Sequence, residues 1–434
     1  MSATLERGLA ALRAGMDTPM ATFFASCVHC GLCAEACLFY TETGDPKYTP
    51  IHKLEPLRRL WKQEFTLLGK LMVNIGLDQP VSDAELAEWE PLVYDSCTLC
   101  GRCSLACPAG NDITAMIRKM REGMALSGHA PEDLVHATQR AVTLGSPMGV
   151  KLSTLKAKIR AQERESGLTI PLDQPGVDYM VLFSGMEIVQ FSEILGAMAR
   201  IFKHAGVSWT LSSEAFEATN SGIQLGVSDL AKEILLRTVN AAEKLGVKGV
   251  VSPECGHAYT ALRWEGPNLI GRRYHFEVVH ILELLARLQK EKRLRLRQRD
   301  PEERPLSFHD PCQLARRGGV LEEPRELLGK IATDFREMSD NRERNWCCGG
   351  GGGVSAIERS EPLRAKAFQR KLHQIEELGV HTLVTACSNC RIILEEGLET
   401  YQIRVDVAGL TELVADHLEE DQPQTGAGAA GGES

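Results

Sequence analysis

Glu376-Glu-Leu-Gly-Val-His-Thr-Leu-Val-Thr-Ala-Cys387 repeats Glu243-Lys-Leu-Gly-Val-Lys-Gly-Val-Val-Ser-Pro-Glu254 at a constant offset of 133 residues. A second pair follows. Val278-Val-His-Ile-Leu-Glu-Leu284 resembles Val407-Ala-Gly-Leu-Thr-Glu-Leu413 at an offset of 129. Two similar modules, 178–288 and 305–418, are the economical reading of this pattern. Within the first, a β-rich run at 179–183 precedes a helical stretch with Phe191, Ile194, Leu195, Met198, Ile201 and Phe202 on one side. A β-rich run at 207–211, a helix at 229–245, a strand at 247–251 and a further helix ending near Leu288 complete the alternation. Alternation of this kind predicts α/β units around small, mostly parallel sheets. Between the modules the stretch 290–299 is strongly basic and reads as a solvated linker, with docking to an acidic partner as the alternative. The Gly-, Ala- and Gln-rich tail 419–434 is predicted to be disordered.

Working outward, the first 170 residues read as helical. Leu5, Leu9 and Leu12 share one face of a helix over 1–22, and Leu54, Leu57, Leu60, Trp61, Phe65 and Leu68 form an apolar stripe over 54–77. A basic helical segment runs over 113–164, and Pro171, Pro175 and Gly176 mark a boundary. The predicted class is therefore α+β and multidomain: a helical domain over 1–170 followed by the two repeated α/β modules.

With 434 residues, 43% hydrophobic and 25% charged, the chain has the composition of a folded protein of two or three domains. Its 49 basic and 58 acidic side chains give a net charge of −9, which speaks against wholesale nucleic-acid binding. No apolar run approaches the roughly 20 residues that cross a bilayer, and residues 1–24 lack the layout of a signal peptide. A cytoplasmic chain able to sit against a membrane protein is expected. Fourteen cysteines in such a chain point to metal or redox chemistry rather than disulfides.

Cys27-x2-Cys30-x2-Cys33-x3-Cys37 and Cys97-x2-Cys100-x2-Cys103-x3-Cys107-Pro108 both have the spacing of the bacterial ferredoxin run. In that run three thiolates hold one cluster and the fourth reaches across to the other. Cys27, Cys30, Cys33 and Cys107 are thus assigned to one cubane [4Fe–4S] cluster, and Cys97, Cys100, Cys103 and Cys37 to a second. Gly31 and Gly101 allow tight turns after the second cysteine of each run. A pair of zinc sites is the rival for CxxC spacing, and two complete four-cysteine runs disfavour it. The pair reads as an electron wire.

Five further cysteines, Cys312, Cys347, Cys348, Cys387 and Cys390, fall in the second module. Adjacent cysteines suit a more open iron–sulfur assembly than a cubane corner. The glycines Gly349 to Gly353 let backbone or substrate come close, while a phosphate-binding reading fails for want of a Lys-Ser/Thr ending. Cys312…Cys347-Cys348-Gly349…Cys387-Ser-Asn-Cys390 resembles the CCG cysteine-rich domain of the heterodisulfide reductases. That domain also occurs in iron–sulfur subunits of glycolate, lactate and glycerol-3-phosphate oxidases. Two ferredoxin-type clusters followed by two CCG modules resemble the fused catalytic subunit of the membrane-bound heterodisulfide reductase family and its relative in the dissimilatory sulfite-reduction membrane complex, over about residues 20–418. The resemblance implies that Cys312, Cys347, Cys348, Cys387 and Cys390 hold a noncubane [4Fe–4S] cluster at which a disulfide is cleaved or formed.

The first module departs from the pattern. Met186 stands where a cysteine would open the motif, 214–220 has no cysteine pair, and Glu254-Cys255-Gly256-His257 replaces the closing CxxC. This module is predicted to lack a cluster. Cys255 and His257 are expected to face the working cluster across a pseudo-two-fold interface, either as redox thiol and proton relay or as packed remnants. His309 and Asp310 are read as hydrogen-bonding cluster sulfur or as moving protons.

The leading reading is a thiol–disulfide oxidoreductase that exchanges single electrons with a partner. The resemblance implies a quinone-linked membrane cytochrome b as that partner, and a small heterodisulfide or the cysteines of a small sulfur-carrier protein as substrate. No Rossmann fingerprint is present, so flavin belongs elsewhere. The alternative is an electron-transfer subunit of a flavin-dependent hydroxyacid dehydrogenase. An iron sensor or scaffold is disfavoured, since all but one of the fourteen cysteines lie in redox-cluster motifs.

Overall fold

A computed structural model describes residues 3–300 and 305–419, so the tail predicted to be disordered lies, apart from Glu419, outside the described residues. The chain begins as helices. Ala3–Ala14 buries Leu5, Leu9 and Leu12, as the periodicity predicts, and packs on helix Ile113–Leu126. The single helix read over 1–22 ends there: Asp17, in extended backbone, accepts from Met20 N–H and starts a second helix, Thr18–Ser26. The stretch 54–77 differs from the expected single stripe. It breaks at Thr66, whose extended backbone ends Glu55–Phe65 and whose hydroxyl accepts from Gly69 N–H at 3.0 Å to start Leu67–Asn74. Leu57 and Leu60 are buried, whereas Phe65 and Leu68 are 53% and 69% exposed. The apolar stripe thus leaves the core at the break.

Two parallel sheets form the rest. Strands β1 (Tyr179–Val181), β2 (Trp209–Thr210), β3 (Gly249–Ser252) and β4 (Glu277–His280) stand in the order β2-β1-β3-β4. The second sheet holds β5 (Leu306–His309), β6 (Thr382–Thr385) and β7 (Asp406–Gly409) in the order β5-β6-β7. Leu306 also bridges to Phe335, which occupies the edge that β2 takes in the first sheet. The two sheets therefore share one topology, and β3 matches β6 and β4 matches β7 at the offsets 133 and 129 read from the sequence. The predicted strand at 207–211 is shorter than expected, because Leu211 leaves β1 and bridges to Leu172.

One apolar core runs through both sheets, from Val181, Leu195 and Val250 to Phe308, Val384 and Leu410. Val150, Leu155 and Ile159, from the helical part, join it. The basic stretch 290–299 is a strap rather than a free linker. Leu294 is buried, and Arg293 donates to the carbonyls of Ala205 and Gly206 at 3.0 Å each. Arg297 donates to Asp416 O at 2.9 Å, and Lys290 pairs with Glu326.

Arg121 fixes the helical part on the modules. Its fully buried guanidinium donates to the carbonyls of Val93, Cys97, Gln224 and Gly352 at 2.6–3.2 Å. The glycine run makes this approach possible. Gly352 has φ +63, and a Cβ there would lie 2.7 Å from the carbonyl carbon of Thr98. The second ferredoxin-type run and the cysteine pair of the second module are thereby held together.

Candidate iron–sulfur centres and the cavity between the modules

Each ferredoxin-type run turns twice into left-handed backbone: at His29 and Gly31 in the first (φ 55 and 83), and at Leu99 and Gly101 in the second (φ 54 and 78). The turns fold each run around a small cavity. One cavity is lined by Cys27, Cys30, Cys33 and Cys107, the other by Cys37, Cys97, Cys100 and Cys103. Burial, together with Cys27, Cys30 and Cys107, pushes the Cys33 thiol up to about 11. Burial and the neighbouring Cys100, Cys97 and Cys37 raise Cys103 well above its ordinary value. The exchange of fourth cysteines expected from the spacing is thus the grouping that the backbone makes. Thiols this crowded are deprotonated together only with cations among them, which fits a cluster of iron ions.

The two groups differ in surroundings. Cys30 and Val28 are exposed, so the first group lies at the surface. The second faces inward. Lys53, buried, donates to Ser96 O and lies 3.8 Å from Cys37 Sγ, and Arg316 donates to Cys100 O at 2.8 Å and Asn345 O at 2.5 Å. Gln313 donates to Leu99 O at 2.8 Å. Cys100 is within hydrogen-bonding reach of Cys347, so the second group abuts the five-cysteine set with no residue between.

In that set Cys312 and Cys347 have their sulfurs 3.7 Å apart, and Cys348 and Cys390 3.3 Å apart. Gly349 N–H points at Cys347 Sγ, 3.4 Å away. All five thiols are buried. The ring of His309 joins Cys348 and Cys390 within 4.8 Å, neither ring nitrogen is hydrogen-bonded, and burial holds the imidazole neutral. Asp310 turns away: its carboxylate takes both guanidinium nitrogens of Arg325 at 2.5 and 2.7 Å and the amide of Arg342 at 2.8 Å. Its part is to fix the loop. The buried Lys371, which no sequence pattern signals, donates to Gln374 Oε1 at 2.7 Å, and burial draws its pKa down to about 8 against the attraction of Asp310, Cys347, Cys348 and Cys390. Five soft donors with a nearby cation and a neutral imidazole suit an anionic iron–sulfur group.

Across from this set lies the first module. Cys255 caps the helix after β3 with φ −146 and ψ 94, as Cys387 caps the helix after β6 with φ −155 and ψ 112. The strand offset of 133 becomes 132 at the cap, since the first module has one extra residue there. Cys255, rather than Glu254, is the counterpart of Cys387. The two loops meet: Ser388 N–H donates to Glu254 O at 2.8 Å, and the Gly256 amide points at Cys387. Burial and Cys387 keep Cys255 a protonated thiol, and burial draws His257 down to about 3, so it is neutral. Between the modules a cavity of about 380 Å³ is lined by Cys312, Cys348, Cys387 and Cys390 on one side and by Met186, Glu217, Cys255 and His257 on the other.

Comparison with known proteins agrees with this layout. Residues 24–111 match the 4Fe-4S dicluster domain, and residues 306–395 match the CCG cysteine-rich domain. The chain is 27% identical to an Hdr-like menaquinol oxidoreductase iron-sulfur subunit of Archaeoglobus profundus, over 91% of this chain and 79% of that protein. It is 27% identical to a subunit of the dihydromethanophenazine:CoB–CoM heterodisulfide reductase of Methanosarcina barkeri, over 91% of this chain and 93% of that one. An EtfAB:quinone oxidoreductase of Syntrophomonas wolfei is 26% identical over 86% of this chain and 55% of its own length. The paired cysteine runs thus fall within a 4Fe-4S dicluster domain and the five-cysteine set within a CCG cysteine-rich domain, and over 91% of its length the chain is similar to iron–sulfur oxidoreductase subunits of the heterodisulfide reductase type.

Proposed function

We propose that the chain is a thiol–disulfide oxidoreductase whose substrate sulfur enters the cavity between the modules. The observation that carries the reading is the size of that cavity: four of the five cysteines of the set line a space of about 380 Å³, against about 30 and 40 Å³ at the two ferredoxin-type groups, which leaves room for a substrate beside a cluster. Cys27, Cys30, Cys33 and Cys107 would hold one cubane [4Fe–4S] cluster, Cys97, Cys100, Cys103 and Cys37 another, and Cys312, Cys347, Cys348, Cys387 and Cys390 a noncubane one. When bound, these groups supply single-electron transfer and the cleavage or formation of a disulfide. The chain's own residues set the order. The exposed Cys30 faces an external partner, and Cys100 against Cys347 closes the gap to the cavity. The neutral His309 can donate a hydrogen bond to sulfur at Cys348 or Cys390.

The partner proposed is a quinone-linked membrane cytochrome b, with the chain lying peripherally on the cytoplasmic face of the membrane. The activities for which the Archaeoglobus and Methanosarcina relatives are named support this. Among the described residues no helix is long and apolar enough to cross a membrane. The substrate is a small heterodisulfide or the cysteines of a sulfur-carrier protein. The domains proposed are a helical unit over 1–170, a clusterless module over 178–288 and an intact one over 305–418.

Anaerobically purified protein is expected to contain about 12 iron and about 12 acid-labile sulfide per chain. Replacing Cys255 by serine is expected to leave that content unchanged, because its own module offers no second thiol, Met186, Glu217 and His257 being its companions on that side of the cavity. Loss of about 4 iron in the Cys255→Ser protein would place a cluster in the first module and overturn the assignment.

A further inference from the structure

Glu217 lines the cavity opposite the cysteines and is 6% exposed, yet neither of its carboxylate oxygens makes a well-aligned hydrogen bond. Its backbone is pinned at the carboxyl end of β1. Phe183 N–H donates to Phe216 O at 2.8 Å, and Ala218 N–H donates to Phe183 O at 3.1 Å. The edge of a parallel sheet beyond its strand ends is where such folds place ligands. In the second module the corresponding stretch, after the second strand position, carries Cys347 and Cys348. Space is kept for the carboxylate: a Cβ on Gly185 would lie 3.1 and 3.3 Å from its two oxygens and 2.9 Å from Met148 Sδ.

A buried carboxylate with no ion pair and only poorly aligned donors near it is costly, and such a group is one that a molecule entering the cavity can complete. Burial pushes Glu217 up to about 7, against the lowering influence of Ser146, the Gly185 amide and Thr219. Facing the cavity with it are Asp133, His136 and Arg140 from helix Glu132–Leu144, and Cys255 and His257 from the cap and first turn after β3. His257 is neutral and Cys255 is held as a thiol, so neither gains or loses a proton near neutral pH.

We propose that Glu217 is the acid–base residue of the cavity: it takes the proton of a substrate thiol that binds as thiolate, and returns a proton to the sulfur released when a disulfide is cleaved. This rests on the disulfide reading of the cavity given above. Cleavage of RSSR′ consumes two electrons and two protons and yields RSH and R′SH. The electrons come from an external one-electron donor, and Glu217 passes the protons one at a time, recharged from solvent through the cavity. The module that lost its cysteines thereby supplies the proton half of the reaction.

The test uses 2-mercaptoethanol added to the oxidised, iron-loaded full-length protein in weakly buffered solution at about pH 8, where the free thiol keeps its proton and Glu217 is ionised. Binding is read from the visible absorption of the protein, and released protons from a pH indicator. A thiolate held in the same buried cavity raises Glu217 further, so wild type is expected to bind thiol and release clearly less than one proton per thiol, while Glu217→Gln binds it and releases about one. The same variant is expected to lose about 100-fold in disulfide turnover with unchanged iron content. Should Glu217→Gln fail to load iron, Glu217→Asp, which keeps the carboxylate, is expected to retain the proton as wild type does. Equal proton release by wild type and Glu217→Gln, or release of about one proton per thiol by Glu217→Asp, with thiol bound in each case, overturns the role of Glu217 alone. No optical response to thiol in wild type overturns this role and the disulfide reading together.

Discussion

Disulfide turnover is expected to fall below detection when Cys347 and Cys348 are both replaced by serine, while the paramagnetic signals of the two proposed cubanes are expected to remain. The serine hydroxyl is a hard donor that stays protonated near neutral pH, so the double variant is expected to lose about 4 of about 12 iron. The ferredoxin-type groups keep their cysteines. Cys100 loses a neighbour, but its loop remains tied through Arg316 to Cys100 O and through Gln313 to Leu99 O. Replacing Cys100 instead is expected to give the opposite lesion: loss of one cubane signal and of delivery from the proposed partner, with part of the thiol chemistry restored by a strong chemical reductant. A Cys347/Cys348 variant that turns over disulfide at the wild-type rate would move the chemistry away from the five-cysteine set.

Arg121→Met is expected to cost the fold about 4 kcal/mol, seen as a drop of roughly 10 °C in the unfolding midpoint by circular dichroism. The methionine fills much of the same volume but donates nothing. The carbonyls of Val93, Cys97, Gln224 and Gly352 are then buried without their donor, and each hydrogen bond lost is one to a charged group. These carbonyls belong to the helical part, the first module and the second, so the variant is also expected to loosen the contact between Cys100 and Cys347. An unfolding midpoint within about 2 °C of wild type would show that the junction is held elsewhere.

How much of this was legible in the sequence follows from what each interaction requires. Cysteine spacing is local and chemically specific, so the two groups of four and the exchange of Cys37 and Cys107 could be read before any fold was known. The repeat was legible because 243–254 and 376–387 preserve the same helix-to-strand transition. Its fine register was not. A constant offset aligned Glu254 with Cys387, while the helix cap aligns Cys255, because one extra residue in a loop leaves the apolar pattern on either side untouched. Arg121, Lys53 and Lys371 had no signal at all: a buried cation bonded to backbone carbonyls, or set among distant thiols, looks in sequence like any basic residue of an amphipathic helix. The glycine run was read as permitting close approach, but what approaches, Thr98 and Cys97 of the other domain, is more than two hundred residues away. Glu217 lay in a stretch noted only for its missing cysteines. The stripe over 54–77 misled because periodicity reports amphipathicity and is blind to whether the apolar face meets core or solvent.

The most direct measurement of the central claim is a single turnover: the protein is reduced anaerobically with dithionite, freed of excess reductant, and mixed with cystine while its visible spectrum and the thiols formed are followed. Electrons are expected to leave the protein and appear as about two thiols for every two electrons withdrawn, in wild type and not in the Cys347→Ser, Cys348→Ser protein. A wild-type protein that stays reduced in the presence of cystine and other small disulfides, yet discharges at once to a one-electron acceptor, would contradict the claim and leave the chain a carrier of electrons alone.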